Sequence, residues 1–153
     1  MKKILVLACL LAGAIVPAYA QKRPAPKASA RPAAKAAPAA GLAVALRQGK
    51  AVYTQNCLTC HQADGGGVDG MNPPLSKTSW VLGDKTRLIN VLLNGLQGVD
   101  IEGEPYNGVM PAQDLLTDQQ IADVLTYVRN SFGNKATAVK PAEVKALRAA
   151  KKK

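Results

Sequence analysis

The chain has 153 residues, with 20 Lys and Arg against 10 Asp and Glu and a formal net charge of +10. That length suits one domain with flanking segments. The charge is uneven: residues 41–134 carry six basic and nine acidic side chains, a net of −3, and the flanks hold the positive excess. A nucleic-acid reader carries its basic groups on the folded domain, so that class is disfavoured.

Met1-Lys2-Lys3 is a short basic start, followed by an apolar run from Ile4 to Val16 and the small-residue site Ala18-Tyr19-Ala20. This is the layout of a secretory signal peptide, with cleavage expected after Ala20 and a periplasmic destination. The run of thirteen residues is shorter than the roughly 20 that span a bilayer. An uncleaved run would instead tether the chain to the membrane. Cys9 lies inside the run and leaves with it, so the mature chain keeps Cys57 and Cys60. A disulfide-stapled exported domain carries more cysteines than that.

Residues 21–40 are almost entirely Ala, Pro, Lys, Arg and Ser. Pro24, Pro26, Pro32 and Pro38 oppose a continuous helix, and nothing large is available to bury, which predicts a disordered linker. The domain is predicted over residues 41–134. Leu42, Leu46, Gly49 and Tyr53 recur at helical spacing and predict a first helix. Residues 63–79 are rich in Gly and Pro and predict an irregular loop. Asp84 is a candidate N-cap for a second helix through Leu88, Val91, Leu92 and Leu96, closed by Gly95 and Gly98. Residues 97–116 again predict a loop. Thr117 with Gln120 has the capping-box pattern ahead of Ile121, Val124, Leu125 and Val128, a third helix closed by Gly133. Residues 135–153 form a basic tail in which Pro141 can open a short helix. The tail either contacts an acidic partner or an anionic membrane surface, or is a solubilising end; its few apolar anchors leave both open.

The turn between the first helix and the first loop reads Cys57-Leu58-Thr59-Cys60-His61. This C-x-x-C-H pattern is that of covalent c-type haem attachment. Two thiols at this spacing can each add across a haem vinyl group, and the next residue presents an imidazole to the iron. His61 is the sole histidine. A structural zinc site needs about four ligands, and no other Cys or His remains in the mature chain. A thioredoxin-like dithiol wants strands around the motif, where helices and glycine loops are predicted. With His61 used, the second axial ligand is a soft sulfur: Met110, backbone-restricted by Pro111, is the candidate, with Met71 expected as packing at the haem edge. Met/His ligation raises the haem potential and suits electron transfer.

On these residues the chain resembles the class I, single-haem cytochromes c. The likeness covers roughly residues 42–133. It rests on the segment from Tyr53 to His61, on Gly70-Met71-Asn72-Pro73-Pro74-Leu75, on Gly108-Val109-Met110-Pro111, and on Leu116 to Arg129. It is most similar to haem modules found with periplasmic dehydrogenases and terminal oxidases. The resemblance implies an all-α cytochrome c fold, with three main helices and long loops wrapped around one covalent haem c. It also implies a close crossing of the first and last helices, with Gly49 and Tyr53 meeting Val124 and Tyr127. A carbonyl at or near Pro73 is implied as acceptor for the His61 ring N–H. Met71 departs from the family, which more often has an apolar or aromatic residue there, and leaves a ligand switch open. Trp80 and Arg87 either reach the propionates or serve as packing and surface.

Two functions follow. The first is an exported one-electron carrier, cycling Fe(III)/Fe(II) between a periplasmic dehydrogenase or respiratory complex and an acceptor, without enzymatic activity of its own. The second is a haem catalyst or gas sensor with an open or switchable sixth iron position. Met110 would close that position, and no spare histidine serves as a distal acid or base.

Overall fold

The computed structural model describes residues 36–151, with side chains over residues 39–150. The expected signal peptide and most of the expected linker lie outside the described residues. Six helices and one hairpin follow in chain order: α1 (Ala36–Asn56), α2 (Leu58–His61), α3 (Ser79–Leu82), α4 (Lys85–Asn94), β1 (Asp100–Ile101), β2 (Glu104–Pro105), α5 (Asp118–Val128) and α6 (Pro141–Lys151). Helix dominates, as the all-α expectation required. Among the described residues no helix is long and apolar enough to cross a membrane.

Helix α1 begins at Ala36, inside the stretch expected to be linker, and passes through Pro38. The first four N–H groups of a helix have no partner within it, so a proline in the first turn forfeits no hydrogen bond. The expected stripe holds at Gly49 and Tyr53, which are buried together with Val52, while Leu42 is 39 % exposed. The core therefore meets only the second half of this helix.

Helices α1 and α5 cross at Gly49. A Cβ at that position would collide with the Asp123 carbonyl and lie 2.7 Å from Tyr127 Cβ, so only glycine allows the approach. Beside the crossing, Tyr53, Tyr127 and Phe132 form a ring cluster with centroids 5.3 to 5.6 Å apart. Such pairs contribute on the order of 1 kcal/mol each beyond their buried area. The start of α5 carries the full capping box: Thr117 Oγ1 accepts from the Gln120 N–H, and Gln120 Oε1 accepts from the Thr117 N–H. Its end differs from the expectation. Regular helix stops at Val128, and Gly133 sits four residues beyond the Arg129 cap at φ +79°. Asn130 and Ser131 continue as turns to Tyr127 and Val128 carbonyls.

Helix α4 is capped by Asp84, whose Oδ1 accepts from the Thr86 N–H at 2.8 Å. Leu88 and Leu92 are buried as the stripe predicted, but Ile89 and Leu93 are buried more deeply, each 1 % exposed. The helix is covered on two sides because α6 packs on it and on α5. The segment expected to be a tail is thus folded: Val144 is fully buried and Val139 nearly so. Burying one valine side chain contributes roughly 1.5–3 kcal/mol. The Thr126 hydroxyl accepts from the Val139 N–H and donates to its carbonyl. Lys85 pairs with Glu143, and Arg148 with Asp118.

Residues 97–116 are not wholly loop. Asp100–Ile101 pairs antiparallel with Glu104–Pro105, across a two-residue turn with both Glu102 (φ +57°) and Gly103 (φ +85°) left-handed. Strands joined this way match the natural twist of a hairpin.

Candidate functional site

The C-terminus of α1 runs into the motif without losing hydrogen bonds. The Cys57 N–H donates to the Tyr53 carbonyl and the His61 N–H to the Cys57 carbonyl, both at 2.9 Å. Residues three and four apart on a helical turn share a face, so Cys57, Cys60 and His61 project to one side. No disulfide joins the two cysteines; Cys57 is half-buried and Cys60 exposed. Burial, and then the neighbouring Cys60, push the Cys57 thiol up to about 11. Tyr53 Oη donates to the Gln62 carbonyl at 2.6 Å and fixes the exit of the turn.

His61 is 8 % exposed. Its Nδ1 lies 3.1 Å from the Pro73 carbonyl oxygen, the contact implied for this position. Nδ1 then carries the proton and Nε2 the lone pair; among the described residues Nε2 has no hydrogen-bond partner. Burial lowers the imidazole below its ordinary value, opposed by the bond to Pro73. A neutral ring is the form that ligates metal.

The Pro73 carbonyl is held by its surroundings. Val68 and Asn72 exchange both backbone bonds, at 2.9 and 2.8 Å. Gly67, at φ +71°, brings its backbone against Asn72 and Pro73 where no Cβ fits. Farther on, Asn134 Nδ2 donates to the Leu75 carbonyl, and its Oδ1 accepts from the Lys77 N–H.

Met110 comes from the opposite direction in sequence. Its backbone exchanges two hydrogen bonds of 2.9 Å with Leu96, just past the end of α4. Gly95, at φ +77°, packs directly against the Met110 carbonyl. Two adjoining clefts open between these elements. Cys57, His61 and Met110 line both clefts, and Cys60 lines the first. The second is walled almost wholly by carbon, including Val81, Leu88, Leu92, Val124 and Val128. Met71 lines neither cleft and is 53 % exposed.

A flat apolar macrocycle fits this crevice. It meets carbon on the inner wall, two unpaired thiols at the rim, an sp² nitrogen lone pair and a thioether sulfur. Arg87 Nε is buried without a hydrogen-bond partner, while Nη2 donates to the Ser79 carbonyl at 3.0 Å. Its guanidinium sits 4.5 Å from the centroid of Trp80, which lines the second cleft. A buried donor without a partner is costly. Among the described residues no three His, Cys, Asp or Glu side chains gather to hold a metal ion on their own.

Four residues that matter here carry no signal in the sequence. Asn134 positions the loop of Pro73. Arg129 binds the Val81, Gly83 and Thr137 carbonyls, tying α3 at the cleft wall to the segment before α6. Thr126 and Arg148 hold α6 and its approach. All act on backbone groups distant in sequence, which no local spacing reveals.

The comparisons with known proteins agree with this geometry. A family model for cytochrome c matches residues 46–132. A cytochrome c-552 of Thermus thermophilus is 42 % identical over 121 residues, covering 72 % of this chain and 81 % of that protein. The cytochrome c subunit of the quinone alcohol dehydrogenase of Gluconacetobacter polyoxogenes is 40 % identical over 103 residues, 65 % of this chain but 22 % of that one. The cbb3-type cytochrome c oxidase subunit FixP of Azorhizobium caulinodans is 32 % identical over 93 residues, 60 % of this chain and 31 % of its own. The chain belongs to the cytochrome c family: it is a haem electron carrier with covalently bound haem c.

Proposed function

We propose that this cytochrome c is an exported one-electron carrier in which Cys57 and Cys60 form the haem thioethers and His61 and Met110 ligate the iron. Each thiol adds as S–H across a vinyl C=C, sulfur to one carbon and hydrogen to the other, so attachment consumes no oxidant. The haem supplies the reversible Fe(III)/Fe(II) couple. The protein binds the ring, excludes water from its inner face, and holds the His61 tautomer through Pro73. The observation that carries this reading is that His61 and Met110 line the same two clefts, while Met71, the other methionine of the domain, lines neither.

Electrons would pass through the mouth of the first cleft, where Cys60 and Val109 are exposed. The partners are redox proteins: a dehydrogenase or respiratory complex as donor, and an oxidase or another cytochrome as acceptor. Relatives that are subunits of an alcohol dehydrogenase and of a cbb3-type oxidase support this. With His61 and Met110 both holding the iron, the chain would do no substrate chemistry itself. A leader ending at Ala20 and an Ala/Pro/Lys-rich segment ahead of α1 would export the haem domain and space it from any anchor.

The test is the sulfur-to-iron charge-transfer absorption of the oxidised holoprotein. Met110→Ala is expected to abolish it, and Met71→Ala to leave it intact. The reverse result assigns the ligand to Met71.

A further inference from the structure

Between the anchored Met110 and the capping box of α5, the segment makes few backbone hydrogen bonds of its own. Between Pro111 and Thr117, the Gln113 N–H donates to the Leu92 carbonyl and the Leu116 N–H to the Gln113 carbonyl. Leu115 is 97 % exposed, so it adds no packing. Restraint arrives instead from α6. Arg148 places a different nitrogen on each of three acceptors in this stretch: Nη1 on the Asp114 carbonyl (2.6 Å), Nη2 on the Leu116 carbonyl (2.6 Å) and Nε on Asp118 Oδ1 (2.7 Å). The planar guanidinium has its donors in a fixed fork, so three acceptors engaged at once hold the backbone at 114–118 in one arrangement. Leu116 lines the second cleft, and its carbonyl is one of the three acceptors.

We infer that Arg148 is a positioning residue for Met110: the C-terminal helix clamps the 111–118 segment and so keeps the methionine sulfur at the iron. This rests on Met110 being the second axial ligand. The clamp sets how readily the segment swings out and admits another ligand. Its partner at the other end of α6, the Lys85–Glu143 ion pair, secures the same helix without touching 111–118. That pair supplies a control for simple loosening of α6.

The experiment uses the oxidised holoprotein with imidazole as competing ligand, followed by the charge-transfer absorption. Amide hydrogen exchange at Gln113 and Leu116 is measured in parallel. Arg148→Ala is expected to bind imidazole roughly tenfold or more faster, because hydrogen bonds from a charged donor are individually strong. It is also expected to speed exchange at both amides. Arg148→Lys, a point charge without the fork, recovers only part of the restraint. Lys85→Ala is expected to match the unaltered protein in both readouts. Equal imidazole rates in Arg148→Ala and Lys85→Ala overturn the inference, whether or not exchange quickens. Failure of the ligand assignment shows separately, as survival of the absorption in Met110→Ala.

Discussion

The two walls of the haem crevice are built in opposite ways. The attachment wall is local. Cys57 to His61 continues the hydrogen bonding of α1, and Tyr53 closes the turn from nine residues away. The methionine wall is assembled from parts remote in sequence: Leu96 against Met110, Leu92 against Gln113, and Arg148 over residues 114–118. A local wall forms whenever its helix forms. A remote wall exists only while the whole domain is closed, so it is the wall expected to open first.

The largest expected effect breaks the local wall chemically. Cys57→Ala combined with Cys60→Ala is expected to remove all covalent haem, read as loss of haem staining on a denaturing gel. Retained stain would mean that attachment lies elsewhere. The next effect strains the remote wall. Gly95→Ala forces a Cβ into the Met110 carbonyl at a backbone φ of +77°. It is expected to destabilise the protein by about 1–3 kcal/mol and to weaken the charge-transfer absorption while thioether attachment stays complete. A loss of stability with the absorption unchanged would separate Gly95 from the ligand.

The smallest effect is on pH. Lys85, first, and the Lys140 N–H hold the Glu143 carboxyl below its ordinary value of 4.5. A depressed carboxylate adds stability above the unfolded-state value and loses it as pH falls through the folded one. The fall in Tm on acidification below 4.5 is therefore expected to be shallower in Glu143→Gln than in the unaltered protein. Parallel curves would remove Glu143 from the account. Both partners are partly exposed, so salt should shrink the difference.

The sequence was most legible where signals are short-range. The C-x-x-C-H turn, the Asp84 cap, and the Thr117–Gln120 box each satisfy partners within four residues, and each stands where the spacing placed it. Gly49 against Tyr127 was legible only through the family likeness, because a close helix crossing has no local signature. Pro38 concealed the start of α1, since proline breaks helices everywhere except the first turn. The hairpin was hidden because Glu102 occupies a left-handed position usually given to Asn, Asp or Gly. Helix α6 was ambiguous because Val144 and Leu147 look like sparse anchors until Lys85 and Asp118 are brought beside Glu143 and Arg148.

Asn134 has a consequence for biogenesis. Its side chain grips both Leu75 and Lys77, the stretch that presents the carbonyl to His61. That support is out of reach until the chain has been made at least as far as Asn134. The thiol-bearing turn needs only its own helix, so attachment at Cys57 and Cys60, as proposed, would not have to wait for the crevice to shut.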